Sequence, residues 1–527
     1  MELTDFLREL HFDSERLKPP DYAVDWADAP LPYKLYRGLP TLPLSLEVPL
    51  TLADRQVSVQ PGLQEIGHFL WYVYGLAHFT QTVLGEGAHG QGGGALLQSV
   101  RRFVPSGGGL YPCELYVYLR EEGRRGIYHY DSAHHRLVFL REGQFDEYVG
   151  AALGGRCDLS ACFATVFVST MYWKNFFKYH NFAYRLQGLD AGVVIGQLLE
   201  VAKRFGYETG VYFQFLDRAV HHLLGLSEQE ESVYAVLPLS VDRGGRAWQS
   251  SGGEGAGATA DELCRQLPAL AHEHYVRSRT IKPYPQLIRI NAAAQLESPR
   301  SFRTQEATAD ADSRAGETIA LPRVPRMAYD MAAACRRRFS PELDFCMGKI
   351  SLLQLSALLH EAAASFSYRN DLDANQSAAA WRVKLYGCLH CVDGIADGAY
   401  RYDPAVHALC AVRTGDHRLR LQYAMSLDNV NLLQVPLCFH VAGDRGHLRE
   451  LWGYRGYRIQ QMEAGMLVQR LLLASAAAEL GGHPLLGYDS HACDELYRLT
   501  PRGETSLIQI PVGPYRHRPR LQGGLHG

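Results

Sequence analysis

The sequence predicts an α+β protein built from two related halves. Three observations carry that reading: an internal repeat at one long spacing, helical and strand periodicities mixed without a regular βαβ alternation, and polar, glycine-rich stretches between the repeated segments. "GIYHYDSAHHRL" at 126–137 returns as "GAYRYDPAVHAL" at 398–409, an offset of 272 residues. "AYRLQGLDAGVVIGQLLEVAKRFG" at 183–206 returns as "GYRIQQMEAGMLVQRLLLASAAAELG" at 456–481, offset by 273. Solenoid periods are far shorter, so the spacing reads as a tandem duplication of a domain of roughly 200–250 residues. The predicted boundaries are a first domain over 1–242, a linker and polar connecting region over 243–318, and a second domain over 319–527.

The elements follow from local pattern. "LQEIGHFLWYVYGLAHF" and "SLLQLSALLHEAAASF" are apolar at helical spacing, and "DAGVVIGQLLEVAKRFG" reads as a largely buried helix closed by Gly206. "MLVQRLLLASAAAEL" is a second buried helix, since its Gln and Arg argue against a membrane span. "ELYVYL" alternates as a strand does, and "GIYHYD" with "HRLVFL" forms a hairpin. "DRGGRAWQSSGGEGAGATADE" is a flexible linker by composition. "LESPRSFRTQEATADADSRAGET" is a surface loop or a disordered segment.

Composition narrows the function. With 53 basic and 56 acidic residues, the chain has no general attraction for nucleic acid or an anionic membrane. Eleven scattered cysteines read as reduced thiols, and the charged N-terminus has no apolar signal region, so the expectation is a cytoplasmic protein. "CLHC" at 388–391 has a CxxC spacing but follows the strand-like "WRVKLY" and lacks a second cysteine pair. It reads as a core strand with buried thiols, and no metal site is expected.

Three stretches carry candidate chemistry. "RRFVPSGGGLYP" offers Pro105, Ser106, Gly107 and Gly108, either as a turn feeding a strand or as bare backbone approached closely by a flat ring. It matches neither the dinucleotide nor the Walker fingerprint. "WKNFFKYHNFAYR" sets Lys178 and Tyr179 among aromatic residues. Desolvation there suits a lysine to proton transfer, and a snorkelling Lys beside a packing Tyr is the alternative. "CRRRFSPELDF" places Arg338 and Ser340 ahead of a helix, and "GPYRHRPR" adds Arg516 and Arg518. Both stretches suit a phosphate, or else are solvated basic patches.

Taken together, "RRFVPSGGGLYP", "GIYHYD", "KYHNFAYRLQGLDAG", "RRRFS" and "GYRIQQMEAG" resemble the nitroreductase superfamily of flavin enzymes. More closely, they resemble its SagB/McbC-type dehydrogenases, which oxidise azolines to azoles in ribosomally made peptides. The resemblance implies an α+β fold with FMN at a dimer interface. One subunit's Arg-x-Ser and later basic residues grip the phosphate, and the partner's Pro-Ser segment lies beside the ring. Arg338 and Ser340 match the Arg-x-Ser, Arg516 and Arg518 the later basic pair, and Pro105 to Gly109 the Pro-Ser segment. The first half has "SLEVPL" where its own Arg-x-Ser belongs, and the second has "QSAAAWRVKLY" where a Pro-Ser-Gly-Gly belongs. Tandem nitroreductase-like domains forming an intramolecular pseudo-dimer are therefore expected, with one complete FMN site and one degenerate one. Arg243 aligns with Arg516 and leaves room for a vestigial phosphate grip.

The resemblance also assigns oxidation to a Lys-Tyr pair, here Lys178 and Tyr179, with Leu451 and Trp452 at the aligned positions of the second half. It implies a modified precursor peptide as substrate and a cyclodehydratase as partner, in a chain that is self-sufficient or pairs again as a homodimer. An NAD(P)H-dependent nitro- or quinone reductase and a non-catalytic peptide-binding scaffold are the other readings.

Overall fold

The two segments that repeat at an offset of 273 fold into the two longest helices, and these helices cross each other at the centre of the molecule. The first spans Ala183–Phe205 and the second Arg449–Ala477, in a computed structural model that describes residues 1–53, 58, 60–84, 95–121, 123–248, 257–306, 317–375, 380–517 and 521–524. Both helices are buried almost end to end, including polar side chains such as Arg185, Gln197, Arg458 and Gln469. The first ends at Gly206 with φ +70°, the left-handed cap that glycine adopts without strain.

Equivalent residues of the two helices meet one another. Tyr184 stacks on Tyr457, ring centroids 5.6 Å apart. One residue off that register, the Gln469 amide donates to Gln197 Oε1 at 2.8 Å. A Cβ on Gly192 would collide with Met462 O and one on Gly465 with Leu189 O, so the crossing exists only because both positions are glycine. Two buried arginines reach across in mirrored fashion: Arg185 donates to Leu507 O at 2.6 Å and Arg458 to Val233 O at 2.8 Å.

Each helix lies against a sheet. The first sheet runs in the order Thr41–Pro43, Arg136–Glu142, Gly126–Asp131, Cys113–Leu119, Ala164–Met171, Glu231–Ser240, Glu208–Val211 and Arg369–Asn370. The second runs Thr318–Ala320, Ala408–Thr414, Gly398–Asp403, Val383–Leu389, Leu437–Asp444, Glu504–Gly513 and Gly481–Gly482. The repeated sequence thus builds the same hairpin in both sheets. Arg369–Asn370 crosses over, pairing in parallel with Glu208–Val211 of the other half. Leu76–Leu84, Ala95–Arg102 and Leu521–Gly524 form a separate small sheet, again joining the two halves.

Most predicted elements form where expected, with three differences. The helix over "LQEIGHFLWYVYGLAHF" stops at Tyr74, and "LAHF" enters a strand. The connecting region carries real structure within 257–306, including the helix Pro285–Ala293. Its Leu287 and Ile290 are buried, and its Asn291 accepts from Arg458, contacts that the polar average of the stretch conceals. In "CLHC", Cys388 is buried, but Cys391 lies beyond the strand end, exposed, with φ +54°. Among the described residues no helix is long and apolar enough to cross a membrane.

Candidate functional site

The glycine-rich stretch leaves the strand Ala95–Arg102, turns through 105–109 and enters the strand Cys113–Leu119. A carboxylate from the first central helix ties the turn down. The Ser106 hydroxyl donates to Asp190 Oδ2 at 2.6 Å, the Gly107 N–H to Asp190 Oδ1 at 3.2 Å, and the Tyr111 N–H returns to Ser106 Oγ at 2.9 Å. Burial pushes the Asp190 carboxyl up to about 7, against the pull of those two donors.

Lys178 and Tyr179 close on the same turn. They end the helix Trp173–Tyr179, and a Cβ on Gly108 would stand 2.5 Å from Tyr179 Oη and 2.7 Å from Lys178 Nζ. Gly108 has φ +65°, so both its backbone and its neighbours require glycine. A Cβ on Gly107 would lie 2.9 Å from Leu186 Cδ2. Half-burial lowers the Lys178 pKa, and burial together with the nearby Asp190 raises Tyr179 to about 12. Exposed Trp26 lies 5.3 Å from Lys178 Nζ. Lys174, the other lysine of that helix, is buried in a pair with Glu114.

The second half supplies the other end. The helix Met331–Arg337 delivers Arg338 into the fold, buried, its Nε donating to Phe103 O at 2.7 Å, five residues before Gly108. A cavity of about 590 Å³ opens beside it, lined by Arg101 of the first half and by Arg336, Arg337, Arg338, Phe339 and Tyr515 among others. Burial and the neighbouring Arg101 together lower the Arg338 pKa to about 10. Among the described residues its buried Nη1 has no hydrogen-bond partner. A buried cation with an unspent donor, in a cavity lined by three further arginines, is the chemistry of an anion site. The residues present therefore fit a phosphate-bearing group such as FMN.

Arg338 is thus brought to the Pro-Ser turn as expected. Ser340 is half-buried and does not line the cavity. Arg516 is exposed, its backbone N–H donating to Asp344 O, while its neighbours Tyr515 and His517 line the cavity instead. Arg518 lies outside the described residues. Sequence reasoning missed Arg101 and Asp190. Arg101 sits in the quoted "RRFVPSGGG", and Asp190 is one of only two acidic residues in a largely buried helix, a signal in itself.

The mirrored position is built differently. Glu463, 273 residues after Asp190, takes Arg382 instead of a serine: Nε at 2.9 Å from both carboxylate oxygens and Nη2 at 2.6 Å. Arg382 Nη1 also reaches Asp373 at 2.6 Å, and the Tyr368 hydroxyl donates to Glu463 at 2.9 Å. Residues 376–379, which would form the turn, lie outside the described residues. Trp452 is buried, its indole N–H donating to Arg303 O.

Comparison with known proteins agrees with this architecture. The profile described as the Nitroreductase family matches residues 80–239. A candidate nitroreductase of Methanocaldococcus jannaschii is 23% identical over 196 residues, 37% of this chain and 95% of the relative. A crystal structure of a candidate nitroreductase from Ralstonia eutropha covers 41% of this chain and 95% of its own, with 22% identity and a TM-score of 0.32. One from Anabaena variabilis is similar over 98% of this chain and 99% of its own, with 21% identity and a TM-score of 0.74. The chain therefore carries a nitroreductase family domain over 80–239, and its whole length shares the fold of the Anabaena protein.

Proposed function

We propose that this chain is an FMN-dependent dehydrogenase that oxidises azolines to azoles in a ribosomally made peptide. It works as an intramolecular pseudo-dimer of two nitroreductase-like domains, 1–242 and 319–527 joined through 243–318, with one flavin site. The observation that carries the proposal is the meeting of Gly108, Lys178 and Tyr179 on a turn whose upstream Phe103 is held by Arg338 from the other half. Phosphate grip and ring wall thus come from different halves, and the proton-handling pair stands at the wall.

Arg338 and Arg101 would hold the phosphate, and the bare backbone of Gly107 and Gly108 would admit the ring. FMN held there would supply the hydride acceptor, with O2 as the terminal oxidant. Aromatising an azoline removes the Cα proton and a hydride from the adjacent ring carbon. Lys178, its basicity lowered by desolvation, takes the Cα proton at Nζ. Tyr179, still protonated at neutral pH, orients the amine and the substrate. The substrate arrives from a cyclodehydratase that makes the azoline.

Purified protein should carry one FMN per chain and remove two hydrogens from an azoline-bearing peptide, read by mass. Lys178→Ala should keep the flavin and lose at least about a hundredfold in peptide oxidation, the span of one general base. Rapid flavin reduction by NAD(P)H with no peptide turnover would instead assign the site to a nitro- or quinone reductase.

A further inference from the structure

Three loop ends at one edge of the second sheet converge on a feature the flavin site does not use. His390 directly follows the strand Val383–Leu389, Asp397 directly precedes Gly398–Asp403, and Asp416 lies two residues after Ala408–Thr414. Adjacent strands therefore place the three side chains together, each within 4.8 Å of the others. The His390 N–H donates to Pro436 O at 2.8 Å, and the Gly415 N–H to Asp397 O at 2.8 Å, which pins the loop ends to one another and to the neighbouring strand.

The imidazole is the unusual member. His390 is fully buried, and among the described residues neither ring nitrogen makes a well-formed hydrogen bond. Its Nδ1 faces Asp397 Oδ2 at 3.4 Å and Asp416 Oδ1 at 3.7 Å. Those separations are long for hydrogen bonds to a carboxylate. They match the ligand-to-ligand distance of a tetrahedral cation, about 3.4 Å for bonds of about 2.1 Å. The carboxylates are oriented from behind. Arg418 grips Asp416, with Nη2 2.6 Å from Oδ2, and the Cys391 N–H donates to Asp397 Oδ1 at 3.4 Å. Held carboxylates of this kind are what a metal site uses. Asp416 Oδ1 also accepts from Arg418, through Nε at 3.0 Å and through the backbone N–H at 2.9 Å, so a bound cation competes with these donors for that oxygen.

The other half provides an internal control. At the same three places, directly after Cys113–Leu119, directly before Gly126–Asp131 and two residues after Arg136–Glu142, it has Arg120, Arg125 and Gln144. These close their own network: Arg125 donates to Gln144 at 2.9 Å, and both Arg120 and Gln144 donate to Asp146. One copy of the duplicated edge is cationic and joined through its own side-chain hydrogen bonds. The other presents a nitrogen and two carboxylate oxygens with the nitrogen unsatisfied.

We propose that His390, Asp397 and Asp416 bind a divalent transition-metal cation of the Zn2+ class. Both aspartates are at least two-fifths exposed, so the cation enters from solvent, and solvent fills its remaining position. The site fastens three loop ends of the second half and is independent of the flavin reading.

The test is calorimetric titration of the chelator-treated full-length protein with Zn2+, with far-UV circular dichroism and the thermal midpoint of the metal-free protein as the measure of folding. One Zn2+ per chain should bind saturably. Asp397→Asn and Asp416→Asn, both at the surface, should each weaken binding at least about tenfold with the metal-free fold unchanged. Cys391→Ser should bind as the parent does. Absence of saturable binding overturns the proposal. So does binding that survives both aspartate substitutions, or binding that depends on Cys391 alone.

Discussion

At the scale of the residue, Asp190 shows how a structural contact acquires a pH dependence. It lies in the core beneath the turn, and burial holds its carboxyl near 7, although Ser106 and Gly107 both donate to it. Between 3.8, the ordinary carboxyl value, and about 7, the native chain keeps a proton that the unfolded chain has released. Stability therefore falls as pH rises across that window and levels off above it. Asp190→Asn keeps an acceptor for the turn and removes the titration. Relative to the parent, it should gain stability on going from about pH 5 to about pH 8. The gain is on the order of a few kcal/mol, because holding a proton through one further pH unit corresponds to about 1.4 kcal/mol. Urea denaturation of both proteins at the two pH values checks this, and an unchanged difference would place the titration elsewhere.

At the scale of the element, the crossing of the two long helices rests on Gly192 and Gly465. A Gly465 Cβ would stand 3.0 Å from Gly192 Cα as well as against Leu189 O. Glycine inside a helix ordinarily loses about 1 kcal/mol to alanine, so in an open helix Gly192→Ala would stabilise. Here the added methyl meets backbone that cannot move without parting the halves, and overpacking of this kind costs about 1–3 kcal/mol. Gly192→Ala should lower the thermal midpoint, and a raised midpoint would show that the helices yield.

Neither glycine is legible in the sequence as a contact. The repeat reveals that two such helices exist, but not that they touch. The same limit explains the uneven fate of the site residues. Ser106, Gly108 and Arg338 can be placed because short motifs fix their local geometry, and the structure brings the turn and Arg338 together through Phe103. Arg516 is a candidate by charge type and by its resemblance to a later basic pair, and which face of an extended segment meets the cavity depends on register. Tyr515 and His517 face it and Arg516 does not. Arg382 is invisible for a further reason. It pairs with Glu463 and Asp373 across the fold, and nothing local to any of the three announces the others.

At the scale of the whole molecule, the two repeated segments carry unlike arrangements at matching positions. Arg185 and Arg458 still reach across symmetrically, yet Asp190 holds a serine turn where Glu463 holds an arginine. A buried Arg–Glu–Asp cluster is strongly destabilised by loss of one partner, so the second position is not readily reopened. The proposed flavin site then draws on both halves at once, and this has a consequence that two independent sites would not share. Arg338→Ala in the second half removes a charge-assisted contact worth about 1.5–3 kcal/mol. Gly108→Val in the first half forces a β-branched residue into φ +65° against Tyr179 and Lys178. With one composite site, either substitution should shift the entire FMN titration of the flavin-free protein by about tenfold or more, and the curve should stay single-phased. With one site per half, each substitution would leave a phase of undiminished affinity equal to half the total. Fluorescence titration of the two variants separates these outcomes, and a persistent tight phase in either variant would overturn the composite site.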